Sequence, residues 1–269
     1  MFGKLMKYEL RYLIRIFAPM WAAVVALCVT FRLNIGPQMK GENLYIEGNE
    51  AIIPAVIGVV TVFAIMTMMI VATVVLIQRF YKGMYGDEGY LMFTLPVTTG
   101  SLIHSKALSA MLMLLGTEAV TLLGVLVMVS FPQIWNEMDT TWSELFHMLL
   151  DMNGLTAGEG ALLMFWLAVA GLLTAAQEIY MIGLAISVGQ LWKKHPVAGA
   201  IIAFYVISIV IGGIEAVFGF NGSYMLVENL MFSDVVIGIL LYMTVRAVIL
   251  LPVSFFGTKL IMEKKLNIA

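Results

Sequence analysis

Residues Ala51–Ile77 read AIIPAVIGVVTVFAIMTMMIVATVVLI, a run of 27 residues without a charge. A helix that crosses a bilayer needs about 20 consecutive, mostly apolar residues. Inside hydrocarbon the backbone must satisfy its own hydrogen bonds, so a spanning segment is a helix or a strand of a closed barrel. Barrel strands alternate apolar and polar residues over about 10 positions. This run is longer and continuously apolar, so it predicts a spanning helix. Five further stretches qualify: Ile16–Leu33, Lys106–Phe131, Ala161–Gln190, Val197–Phe218 and Val235–Lys259.

The composition of the whole chain agrees. Of its 269 residues, 61% are hydrophobic and 12% charged, against roughly 45–50% and about 25% in soluble domains. Such a chain has too few polar groups to cover itself in water, which excludes a soluble enzyme and a disordered chain. The net charge of −2 offers no footprint for nucleic acid. The single cysteine, Cys28, rules out a disulfide framework and a thiolate metal site. The expected fold is all-α, a polytopic membrane protein with six transmembrane helices in one domain, residues 1–269.

Basic residues set the expected orientation. Twelve of the fifteen fall on one side: Lys4, Lys7, Arg11 and Arg15 before span one; Arg79, Lys82 and Lys106 around the connection of spans two and three; Lys193 and Lys194 between spans four and five; Lys259, Lys264 and Lys265 at the end. The other side has Arg32 and Lys40, and Arg246 lies within span six. Both termini are therefore expected in the cytoplasm, with the protein in the plasma membrane. The outer loops are acidic, as solvated loops commonly are. No secretory signal is evident, because Glu9 and four basic residues precede the first apolar run.

The N-terminal stretch has two faces. Lys4, Lys7, Arg11 and Arg15 share one side of a helix, and Met6, Leu10, Leu13 and Phe17 share the other. A basic amphipathic helix lies in the membrane interface, and residues 1–15 are expected to do so. Pro19 marks the expected bend into span one.

Residues 79–105 are not an ordinary connector. At their centre, Tyr90-Leu91-Met92-Phe93-Thr94-Leu95 is apolar but too short to span. Asp87 and Glu88 precede it where they favour a helix N-terminus. Pro96 would end the helix at Leu95, and a second helix should start near Thr98 or Thr99. A short surface helix with apolar side chains predicts a protein partner or membrane lipid.

Here the chain resembles the permease subunits of type-2 ATP-binding-cassette transporters. Those have an amphipathic N-terminal elbow helix, six spans, both ends inside, and a coupling helix between spans two and three that docks on the ATPase subunit. Their wording at that loop is an acidic pair, Gly, a hydrophobic helix, Pro, a small or hydroxyl residue and a Lys about ten positions on. The matching residues are Asp87, Glu88, Gly89, Tyr90–Leu95, Pro96, Thr98 and Lys106. The interval from Gly89 to Pro96 is shorter than the common form. The longest outer loop joins spans three and four, where the family has it between five and six. The resemblance implies that Asp87, Glu88, Gly89, Tyr90, Leu91, Phe93, Leu95 and Pro96 contact an ATPase subunit. It also implies a second permease copy or homologue, with the transport path between the two.

The chain carries no G-x-x-x-x-G-K-[ST] phosphate loop, so ATP hydrolysis would belong to another polypeptide. It has no HExxH and no G-x-S-x-G. No catalytic group, cofactor or metal site is expected. The 21 methionines are scattered without His or Cys beside them, a pattern of adaptable packing rather than copper transport.

Three charges lie deep within spans: Glu118, Glu178 and Arg246. Each costs at least about 2.5–3.5 kcal/mol when left facing lipid. A stripe of Ala168, Gly171, Ala175, Gly183 and Ser187 places Glu178 toward a neighbouring helix, and Arg246 is expected to pair with Glu178 or Glu118. Glu215, near the end of span five, is expected to reach water. Thr141-Trp142-Ser143-Glu144 reads as a capping box for a short helix in the outer loop, residues 132–160. The expected function is that of an exporting permease subunit. Two alternatives stay open: a secondary transporter using the intramembrane Glu and Arg residues, and a non-transporting immunity or scaffold subunit.

Overall fold

The structure is a computed structural model and describes residues 2–35, 52–86, 89, 97–130, 156–192, 194–217 and 232–265. Among these residues the secondary structure is helical throughout, without a strand. The helices are α1 (Phe2–Ile35), α2 (Ile52–Tyr85), α3 (Thr99–Val129), α4 (Ala157–Gly189), α5 (Pro196–Val217) and α6 (Phe232–Leu260). A π-helical turn, Ile261–Lys265, continues α6. All six helices are long and apolar enough to cross a membrane.

Five of the six helices are longer than the apolar stretch that announced them, because residues at their ends extend the same hydrogen-bond ladder; α5 matches its stretch in length. α2 continues eight residues past Ile77, and α3 starts at Thr99, as expected from the sequence. The Thr98 hydroxyl accepts from the Ser101 amide at 3.3 Å, which caps the first turn of α3. At α4, Thr156 and Glu159 form a reciprocal capping box. Hydroxyls inside the spans turn back on their own helix: Thr61 donates to the Ile57 carbonyl at 2.7 Å and Thr117 to Met113 at 2.8 Å. An apolar helix thus satisfies its hydroxyl donors on its own backbone.

The basic N-terminal stretch is the first part of α1, not a helix of its own. Pro19 lies inside that single helix; spanning helices tolerate proline where neighbouring groups satisfy the freed carbonyl. The two faces appear as expected. Lys4, Lys7, Arg11 and Arg15 are exposed, while Leu13 and Phe17 are buried. Glu9 is buried beside them.

The chain divides into two compact units. One contains α1 from Met6, α2 up to Ile77 and α3 from Leu112. Its core joins Val24 and Cys28 of α1 to Met68 of α2, with Met128 of α3 against them. Glycines let α3 approach α1: a Cβ on Gly124 would stand 2.9 Å from the Cys28 sulfur, and one on Gly116 would meet the Trp21 ring. Trp21 Nε1 donates to Thr117 Oγ1 at 3.1 Å, and Arg32 Nε to the Ser130 carbonyl at 3.0 Å.

The other unit contains the end of α2 from Gln78, α3 as far as Met111, all of α4 to α6 and the chain's first residues up to Leu5. Its core is built from Phe80, Met84, Leu102, Ile103, Ile186 and Met262, with Leu5, Tyr85 and Phe255 packed against it. Gly183 admits the Phe80 ring and Gly257 the Leu184 side chain. Where α4 turns into α5, Gly189 lies on the backbone of Ala200. The small-residue stripe on α4 therefore splits. Gly183 and Ser187 are buried in this unit, whereas Ala168 is exposed and Gly171 has open space in front of it.

Candidate functional site

Two features of the second unit bear on function. The first frames the segment expected to dock a partner. Asp87, Glu88, Tyr90, Leu91, Phe93, Leu95 and Pro96 lie outside the described residues, as does the outer-loop capping box at Thr141–Glu144. Their two flanks are described, and both are fixed. On the near side Phe80 and Met84 of α2 are buried; on the far side Leu102 and Ile103 of α3 are buried. All four share one core with Ile186 of α4 and Met262 beyond α6. Lys106, also buried, lays its ammonium against Gly83, where a Cβ would collide with it. The Tyr85 and Ser187 hydroxyls hydrogen-bond and tie the last turn of α2 to α4.

Gly89 is the one residue between Asp87 and Pro96 within the described set, and it is buried. Its amide donates to the Gly86 carbonyl at 2.8 Å, and a Cβ there would stand 2.6 Å from the Met84 carbonyl oxygen. The chain folds back on the end of α2 so closely that only glycine fits.

The second feature is a cluster of charges within the spans. Arg246 of α6 reaches two carboxylates. Its Nε donates to Glu215 Oε1 of α5 at 2.9 Å, and its NH2 nitrogen lies 3.7 Å from Glu178 Oε1 of α4. The side chains of Arg246, Glu178 and Glu215 are 26%, 38% and 17% exposed, so none is sealed away. The Tyr242 hydroxyl, one turn before Arg246, donates to Glu215. Arg246 thus joins α4, α5 and α6.

This corrects one expectation and completes another. Glu215 does not simply reach water; it is the closer partner of Arg246. The Glu178–Arg246 contact exists but is the looser of the two. Glu118 belongs to the other unit, is exposed, and makes no ion pair among the described residues. The sequence held the signal for Glu215: three acidic residues and one arginine interrupt the apolar runs, so Arg246 had more than one candidate acid.

Elsewhere in this unit His104 stacks on Phe255 with ring centres 4.3 Å apart and hydrogen-bonds Tyr180. Gln177 is fully buried, and its Oε1 has no hydrogen-bond partner among the described residues. No group of three His, Cys, Asp or Glu side chains among the described residues could hold a metal ion. Compared with known proteins, the chain matches no family model, no curated protein and no solved structure.

Proposed function

We propose that the protein is the permease subunit of an ATP-binding-cassette exporter of the plasma membrane, paired with a second permease and driven by ATPase subunits on separate chains. The reading rests on the resemblance of residues 87–106 to the family's coupling segment. The single structural observation that supports it is the clamping of both flanks of that segment into one core with α4 and α6. A force applied between Met84 and Leu102 has a rigid path to those helices. A loop hung on loose helix ends would absorb the same force.

The test uses Leu91→Asp and Phe93→Asp in the full chain. The variants should insert normally and lose co-purification with the ATP-hydrolysing subunit that this reading requires. Interface anchors contribute on the order of 2 kcal/mol, so a loss of roughly thirtyfold in affinity is expected. Full partner binding and ATP turnover in the double variant would remove the assignment. A second reading, ion-coupled transport, is favoured by the Arg246 cluster. It requires that substrate movement stop when the ion gradient is collapsed while ATP is kept constant, an outcome the permease reading does not give.

A further inference from the structure

Between α4 and α5 the chain makes a tight turn, with the Leu191 amide donating to Val188 and the Trp192 amide to Gly189, each at 3.1 Å. Gly199 lies under the Trp192 ring, where a Cβ would strike it. The turn leaves an open groove of about 450 Å³ lined by Leu191, Trp192, Lys194, His195, Ala198 and Ile202. Trp192 is 53% exposed. The groove combines three chemistries. Ala198 and Ile202, one turn apart on α5, give it an apolar wall. The lining is mostly apolar; Lys194 and His195 add basic side chains to it, and no acidic residue lines it. Trp192 supplies an aromatic ring with an N–H.

Its position selects the occupant. The groove lies where two helices apolar enough to span end and begin. Ile202 is six residues into α5, roughly 9 Å from its start. Tryptophan concentrates where spanning helices meet the headgroups, and lysine there extends toward headgroup phosphates. We infer that this groove is a binding site for the headgroup of an anionic phospholipid, with the phosphate at Lys194 and His195 and the first part of an acyl chain along Ala198 and Ile202. A zwitterionic lipid carries a choline or ethanolamine cation that the basic rim disfavours. The inference depends on the spanning helices and not on the transport reading.

The test reconstitutes the full chain in vesicles of phosphatidylglycerol or of phosphatidylcholine, each brominated near the headgroup end of the acyl chains. Bromine quenches nearby indole fluorescence. The chain has five tryptophans, so the Trp192 signal is taken as the difference between the unmodified protein and Trp192→Phe. In mixed vesicles, brominated phosphatidylglycerol should quench that signal at a several-fold lower mole fraction than brominated phosphatidylcholine, roughly fivefold per basic side chain engaged. Lys194→Gln with His195→Gln should abolish the preference. High salt should weaken it in the unmodified protein, an arm that requires no variant to fold. Equal quenching by both lipids would reduce the groove to an unselective interfacial aromatic. A preference that survives the double substitution would place the headgroup elsewhere, and either result overturns the proposal.

Discussion

Arg246 is the residue on which most depends, because it carries the only positive charge of a cluster with two carboxylates. Removing it strands both; removing either acid leaves the arginine a second partner. Arg246→Gln should therefore destabilise most, by about 1–3 kcal/mol for a pair partly open to water, less than the full cost of breaking a sealed pair. Glu215→Gln should cost less, and Glu178→Gln least. Double-mutant cycles on thermal unfolding in one detergent separate the pairs. The Arg246–Glu215 coupling should exceed about 0.5 kcal/mol, and the Arg246–Glu178 coupling should be the smaller. The reverse order would mean that the 3.7 Å contact dominates and that the cluster is assembled differently from the geometry above. The sequence disclosed the charges but not their pairing. Hydropathy gives the position of a residue along its own helix; the lateral arrangement of α4, α5 and α6 decides which acid Arg246 meets. Glu118 shows the converse, since its place in an apolar run implied a partner and its helix face brings none among the described residues.

The helices themselves were legible at the level of elements, because a run such as Ala51–Ile77 has no other stable form in hydrocarbon. Their ends were less so. Apolarity stops at the membrane boundary, whereas the hydrogen-bond ladder of α2 continues to Tyr85 and that of α1 through Pro19. The glycines separate two kinds of helix face. On α4 a Cβ at Gly189 would stand 2.6 Å from the Cα of Ala200, which is backbone and cannot swing aside. Gly189→Ala should push α5 away and cost about 1–3 kcal/mol, outweighing the gain of about 0.5–1 kcal/mol in helix propensity. Gly171→Ala on the same helix meets open space. It should be neutral or stabilising by up to about 1 kcal/mol. Melting curves of the two variants in the same detergent give the comparison. A drop for Gly171→Ala would show that this face is covered in the assembled protein. A Gly189→Ala protein as stable as the original would mean that the α4–α5 approach is looser than described. The small-residue stripe alone could not separate these cases, because spacing assigns residues to a face and says nothing of what stands opposite.

The distribution of charge over the whole molecule predicts its orientation, and one structural observation supports the parity of that prediction. Leu5, Met84, Ile103, Ile186 and Met262 meet in a single core. The chain's beginning, the α2–α3 connection, the end of α4 and the turn after α6 therefore lie at one end of their unit. An even number of spans requires this arrangement, and an odd number forbids it. Lys4, Lys82, Lys194, Lys259 and Lys264 lie close in sequence to those core residues, so the basic residues collect at that end. Positively charged segments are held back from translocation, which predicts that end in the cytoplasm. The prediction is checked by single cysteines at Asp139 and at Lys194 in intact cells, with a maleimide that cannot cross the membrane. Native Cys28 is buried and should stay silent in the background. The cysteine at 139 should label from outside, and the one at 194 only after the cells are opened. Labelling of both from outside would break the six-span parity. The opposite pattern would keep the fold, invert it in the membrane, and place residues 87–96 on the side where no ATP-hydrolysing subunit could reach them.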